Sequence, residues 1–395
     1  MTSSTLAATG QWTSTGDLPS ARTWSGQHDG PLVLSGGKVL VAGGADGSAT
    51  ALAQASLYDP AAKTWAATGA LHTPRRLHTA TLLDNGKVLV AGGITGAAAF
   101  PAPGVASAEL FDPATGTWTV TGAMHTARWG HSAVLLPGKK VLVAGGSTTR
   151  SGQSVKALRS AEIYDPATGE WTEVAPMTDA RSGHPAVVLN TGRVLVAGGS
   201  APVARDGDAA LAFCELYDPG AGAAGTWTPT GDLLVPRSGH QATLLSDGTV
   251  LATGGSAPGG PGDGTFDPYS RATAELYSTA SGTWSKVPDM PAGRGLHRAV
   301  SLGSGKVLVT GGTDGPDNGV GYASALIFDA GPKTWSPAGG LATGRWAFAA
   351  VALPGGKVLV TGGLTRSGLA AADPGTGELT ARTEIFSTGA AVSTP

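Results

Sequence analysis

Gly86-Lys87-Val88-Leu89-Val90-Ala91-Gly92-Gly93 decides the reading of this chain, because nearly the same words recur all along it. Diglycines close an apolar run at Gly43-Gly44, Gly92-Gly93, Gly145-Gly146, Gly198-Gly199, Gly254-Gly255, Gly311-Gly312 and Gly362-Gly363, spaced by about 50 to 57 residues. Such a period marks supersecondary units, each too small to bury its apolar face alone. The unit from Arg128 to Trp171 shows the internal plan. Ala133 and Leu135 alternate in a first strand, Pro137-Gly138 turns it, and Val141-Leu142-Val143-Ala144 makes a second. That second run is apolar on both parities, so both of its faces must be covered, as when sheets stack face to face. A polar loop follows Gly145-Gly146, then Glu162-Ile163-Tyr164, the turn Asp165-Pro166-Ala167-Thr168-Gly169, and Trp171. Pro presets φ in such a turn and Gly supplies φ > 0, so a third and a fourth strand form a hairpin.

Four short strands per unit, a diglycine after the second and an aromatic pair in the last two describe the blade of a β-propeller. The unit resembles the kelch repeat, whose marks are a diglycine after an apolar strand, then Tyr or Phe, then Trp a few residues on. The pairs here are Tyr58 with Trp65, Phe111 with Trp118, Tyr164 with Trp171, Tyr217 with Trp227, Tyr277 with Trp284, and Phe328 with Trp335. The seventh diglycine is followed by Glu384-Ile385-Phe386 but no Trp, whereas Gly10-Gln11-Trp12-Thr13 precedes the first unit. The expected fold is therefore all-β: a seven-bladed kelch-type propeller with four antiparallel strands per blade, one domain over residues 1–395. Residues 9–16, around Trp12, are expected to complete blade seven and close the ring, leaving no open sheet edge.

Composition agrees with a turn-dense globular chain. The 395 residues include 62 Gly and 26 Pro, with 14% charged and 41% hydrophobic residues. A formal net charge of -2 gives no general attraction to nucleic acid or anionic membrane. The single Cys214 excludes an internal disulfide framework and a thiolate metal cluster. The start has neither a basic nor an apolar targeting region, and no apolar run approaches membrane-spanning length. A monomeric, cytoplasmic protein without cofactor, metal, membrane or nucleic acid is the expectation.

Strands one and two are antiparallel neighbours, so residues before strand one and loops after each diglycine share one face. Each unit carries an arginine there: Arg22, Arg75, Arg128, Arg181, Arg237, Arg294 and Arg345. Five are followed three residues on by His78, His131, His184, His240 and His297. Guanidinium forks suit carboxylates, and the kelch resemblance implies arginines here that engage acidic peptides. A residue present in every unit is more economically a structural one, with each arginine paired to the glutamate that opens strand three and each histidine satisfied by backbone. Individuality then points to function. Glu109, Glu162, Glu215, Glu275 and Glu384 open strand three, but Ser56 and Leu326 stand there in units one and six. Unit seven has Trp346 and Phe348, and unit one inserts Gln27, His28 and Asp29 after Trp24. The expected site is a rim of blades six, seven and one. In it Arg22, Arg294 and Arg345 contact an anion, Trp24, Trp346 and Phe348 form a wall, and His28 stands beside them. Drift of surface loops accounts for the same irregularity.

The resemblance extends to galactose oxidase, whose platform is shared, but its copper site needs a Tyr crosslinked to Cys, which Cys214 inside an ordinary repeat does not offer. Asp314, Asp317 and Asn318 lack the spacing of a calcium loop, and Asp263, Asp267 and Tyr269 fall in a long polar loop. Two functions follow. The first is binding of an acidic peptide or a small anionic or aromatic molecule in the funnel. The alternative is a cofactor-independent isomerase, lyase or cyclase, as some bacterial propellers are.

Overall fold

The computed structural model describes residues 10–25, 32–96, 103–149, 155–204, 207–257, 267–315 and 319–388. Seven four-stranded antiparallel sheets follow one another around an axis. Numbered in chain order, the blades span 32–67, 79–121, 132–174, 186–229, 241–287, 298–340 and 349–387. Blade three shows the common plan, with Ser132–Leu135, Val141–Ala144, Ala161–Asp165 and Glu170–Val174 paired in that order. Tyr164 lies opposite Val141 on one side and Trp171 on the other. First strands of adjacent blades pack against one another all the way round, so they form the inner wall.

The apolar words of the second strands have the role their two parities require. Val141–Ala144 is buried along its whole length, one face toward each neighbouring blade. Leu89 and Ala91 of blade two meet Val141, Val143, Tyr164 and Trp171 of blade three in one cluster, and a comparable cluster fills each of the other six interfaces. Each fully buried Val or Leu contributes on the order of 1.5–3 kcal/mol. The aromatic pairs finish the outer edges. Tyr164 and Trp171 have ring centroids 5.1 Å apart, and the Trp171 indole N–H donates to Gly122 O of the preceding blade at 2.8 Å.

Ring closure is as expected. Gln11–Ser14 pairs with Thr383–Ser387, Trp12 standing opposite Phe386 with ring centroids 5.2 Å apart. Thr15 Oγ1 lies 2.6 Å from the Tyr58 hydroxyl, so this strand also latches blade one.

The diglycine is explained by the neighbouring blade. Gly92 and Gly93 have φ of +67° and +100°. A Cβ on Gly92 would lie 2.6 Å from both Arg128 O and His131 Cε1. The first glycine therefore makes room for the next blade's histidine.

Candidate functional site

All seven arginines lie within the fold, not on its surface. Arg22 is 2% exposed and Arg345 is fully buried. In every blade Nη1 donates to the first glycine's carbonyl and to a carbonyl at the entry to strand three. In blade three these are Gly145 O at 2.8 Å and Ser160 O at 2.9 Å. Arg75, Arg128, Arg181, Arg237 and Arg345 also pair with Glu109, Glu162, Glu215, Glu275 and Glu384. Burial lowers the pKa of Arg22, Arg294 and Arg345 to about 10, leaving each charged at neutral pH.

The histidines stitch blades together. His131 Nε2 lies 2.9 Å from Thr79 Oγ1 and His184 Nε2 lies 3.1 Å from Ser132 Oγ, each hydroxyl belonging to the preceding blade. Burial first, then the charge of Arg75, push the His78 pKa down to about 3.

The expectation of a guanidinium rim around blades six, seven and one is thereby corrected. Arg22, Arg294 and Arg345 spend their donors on the blades that hold them, and Trp346 and Phe348 are at most 2% exposed. Phe348 occupies the histidine's place against Gly311, in the core between blades six and seven. Of the expected set, Trp24 alone among the described residues lines the cavity on the axis. His28, Asp263, Asp317 and Asn318 lie outside the described residues, as do the side chains of Asp267 and Tyr269.

The axial site is built one and two residues beyond each arginine. Trp24, Leu77, Gly130, Gly183, Gly239, Leu296 and Ala347 all have φ between +49° and +63°. Each N–H donates to the carbonyl of its counterpart in the preceding blade. Leu77 donates to Trp24 O at 3.3 Å, Gly130 to Leu77 O at 3.2 Å and Gly183 to Gly130 O at 2.9 Å; the circle closes with Trp24 donating to Ala347 O at 3.2 Å. Four members are not glycine, and the left-handed conformation costs each of them roughly 1–2 kcal/mol. Five members of this ring, Trp24, Leu77, Gly183, Gly239 and Leu296, line a cavity of about 380 Å³.

The cavity walls differ from side to side. On blades one to three, half-buried Trp24 and Trp129 flank Leu77 and Arg76, and the two indoles pack on Leu77 and Ile94. Arg76 is 4% exposed and its pKa is lowered by burial. On blades three to six the lining is Ser147, Ser182, Ser200, Ser238, Ser256 and Thr313, with exposed Asp314. Three two-stranded ribbons rise from this side, Ser147–Thr148 with Lys156–Ala157, Ser200–Ala204 with Gly207–Ala210, and Ser256–Ala257 with Asp267–Ser270. Neighbouring ribbons touch, so they form a wall. The residue after each arginine was the overlooked signal. It runs Thr23, Arg76, Trp129, Ser182, Ser238, Gly295 and Trp346 while the arginine itself never changes.

Fold and site together define a closed seven-bladed propeller with a ligand-sized axial cavity. The chain matches the family model described as the KLHDC2/KLHL20/DRC7 Kelch-repeats domain over residues 4–199 and 130–363, and it belongs to the kelch-repeat family. It is 25% identical to mouse Kelch-like protein 36 over 286 residues, covering 71% of this chain and 42% of that protein. It is 29% identical to Kelch-like protein terF of Aspergillus terreus over 201 residues, 47% of this chain and 41% of that one. Mouse Kelch-like protein 35 is 26% identical over 56% of this chain. The chain thus spans well under two thirds of the length of these relatives. A solved fungal alcohol oxidase of the AA5 family, in complex with copper, superimposes with a TM-score of 0.73 at 20% identity, over 96% of this chain and 76% of that one. That likeness concerns the fold alone.

A copper-radical centre does not fit these residues. Cys214 is 2% exposed in strand three of blade four, its Sγ donates to Ala212 O at 3.3 Å, and burial pushes the thiol pKa up to about 11. Among the described residues neither Cys214 nor any tyrosine lines the cavity, and no three or more His, Cys, Asp or Glu gather as metal ligands. No helix among the described residues is long and apolar enough to cross a membrane.

Proposed function

We propose that this kelch propeller, a fold typical of ligand and protein binding, takes an anionic ligand into its axial cavity. The ligand is a small acid or the acidic group of a peptide. Its charge meets Arg76 and its apolar part lies against Trp24 and Trp129. One observation carries the reading: Arg76, a residue only 4% exposed, lines a ligand-sized cavity together with two indole-bearing residues, Trp24 and Trp129. A charge so desolvated interacts strongly with an entering anion because little water screens the pair. Indoles supply broad contact area, with stacking for a planar or ring-shaped ligand.

Fluorescence titration with benzoate and with a short acidic peptide tests this, the cavity tryptophans being the reporters. Arg76→Gln is expected to weaken binding at least about tenfold, the order of a lost charged hydrogen bond. Binding left unchanged in a variant that melts like the parent would remove Arg76 from the site.

A further inference from the structure

Resting on that reading of the cavity, we infer that its ligand is a sugar acid, a polyhydroxylated ring carrying one carboxylate. The argument starts from the hydroxyl side. Ser147, Ser200, Ser238 and Ser256 line the cavity, and their side chains make no hydrogen bond among the described residues. Ser182, by contrast, donates to Gly130 O at 3.3 Å. Four hydroxyls on blades three to five thus present both donors and acceptors to the cavity.

An aromatic acid would fill the indole side and leave that arc unmet. Displacing its water without replacing the hydrogen bonds loses affinity. A polyol without charge would use the arc but bring no opposite charge to Arg76. A sugar acid satisfies both, since one face of a pyranose ring is a patch of C–H groups that stacks on indole while its edge is all hydroxyl.

Asp314 adds direction. It lies on blade six, three blades from Arg76 on blade two, and so nearly across the axis. Its carboxylate accepts ligand hydroxyls and repels the ligand's own carboxylate, which turns the acid end toward Arg76. Ser147, Ser200 and Ser256 each begin one of the three ribbons of the wall, so the hydroxyl arc is the deep end of a half-cup.

Calorimetric titration of the whole chain with glucuronate, glucose, benzoate and a short acidic peptide tests the inference. Glucuronate is expected to bind at least about tenfold tighter than glucose or benzoate. Replacing Ser238 and Ser256 together by Ala should weaken glucuronate about tenfold and leave benzoate within about twofold, which a merely structural role would not do. If benzoate or the peptide binds as well as glucuronate, or the serine variant holds glucuronate like the parent, the sugar-acid assignment falls and the anion reading stands. If none of the three acids binds the parent protein, both fall.

Discussion

Blade three and blade six solve the same problem differently. In blade three Glu162 Oε1 lies 2.7 Å from Arg128 Nη2, while Oε2 accepts the His125 N–H at 2.7 Å, three residues before the arginine. In blade six Leu326 stands where the glutamate would be, and the residue three before Arg294 is Pro291, which has no N–H to offer. Blade one repeats the substitution with Ser56 and Pro19. The glutamate serves two backbone donors, His125 and Thr126 in blade three; where it is lost the first is replaced by proline and the second belongs to exposed Ser20 or Ala292, so no buried N–H is stranded.

Arg294 meets Ser324 Oγ at 3.0 Å and lies 5.6 Å from the Tyr322 ring, and Arg22 turns to Ser20 Oγ at 2.8 Å. What all seven share is the clamp of Nη1 on two carbonyls, 3.0 and 3.2 Å in blade six. The arginine therefore holds strand three to the diglycine turn. The glutamate is an addition that compensates charge and grips the entering loop.

Removing the addition where it exists is expected to have the largest effect. Glu162→Gln leaves Arg128 fully buried without its counter-charge and should cost on the order of 3–5 kcal/mol in urea unfolding. A cost below about 1 kcal/mol would mean that blades three and six do not differ in kind.

Acid should separate the histidine stitches from the carboxylates. The folded-state pKa of His78 is lowered to about 3 by burial, and that of His297 lies well below its ordinary value. The unfolded chain therefore binds protons that the folded one refuses. Stability is full above the unfolded value of about 6.5 and drains away as pH falls toward the folded one, by on the order of 3 kcal/mol for His78 by pH 4 and in the same direction for His297. Glu109 and Glu162, whose pKa values are lowered by hydrogen bonds and arginine charge against the opposing effect of burial, contribute stability that is lost only below about 4.5. Thermal melts should show the midpoint dropping between pH 6.5 and 4.5; a midpoint flat over that interval would contradict the neutral, buried histidines.

The smallest effect concerns the covariation. Leu326→Glu should destabilise blade six, and adding Pro291→Ala should recover about 1 kcal/mol by returning one N–H to the new carboxylate. A double-mutant cycle with no coupling would show that the prolines and the missing glutamates are unrelated.

The fold was legible because propeller geometry is written in residues that cannot be exchanged. The two glycines admit a neighbour's ring, the two-parity strands sit between two sheets, and Trp12 belongs with Phe386. The pairing of Arg128 with Glu162 was legible for the same reason. The site was not, since periodicity locates Arg22 and Trp24 on one loop without telling which turns inward. The left-handed residue at Trp24, Leu77 and Leu296 decides that, and no residue type marks it there. Irregularity at Ser56 and Leu326 suggested function, and the blades had absorbed it locally. The irregularity that reaches the axis is Arg76, Trp129 and Ser238, each just beyond an arginine that does not vary.

The latch between Gln11–Ser14 and Thr383–Ser387 bears on how the molecule is made. Thr13 meets Ile385, a partner made 372 residues later. At roughly 5–20 residues per second on the ribosome, the opening strand waits about 20 to 75 seconds for it. Over that interval the six intervening blades are made one after another, and the seventh, made last, has a bare edge until the opening strand pairs with it. Biogenesis of this protein therefore passes through an open arc that must be kept from pairing with another chain until its own beginning returns.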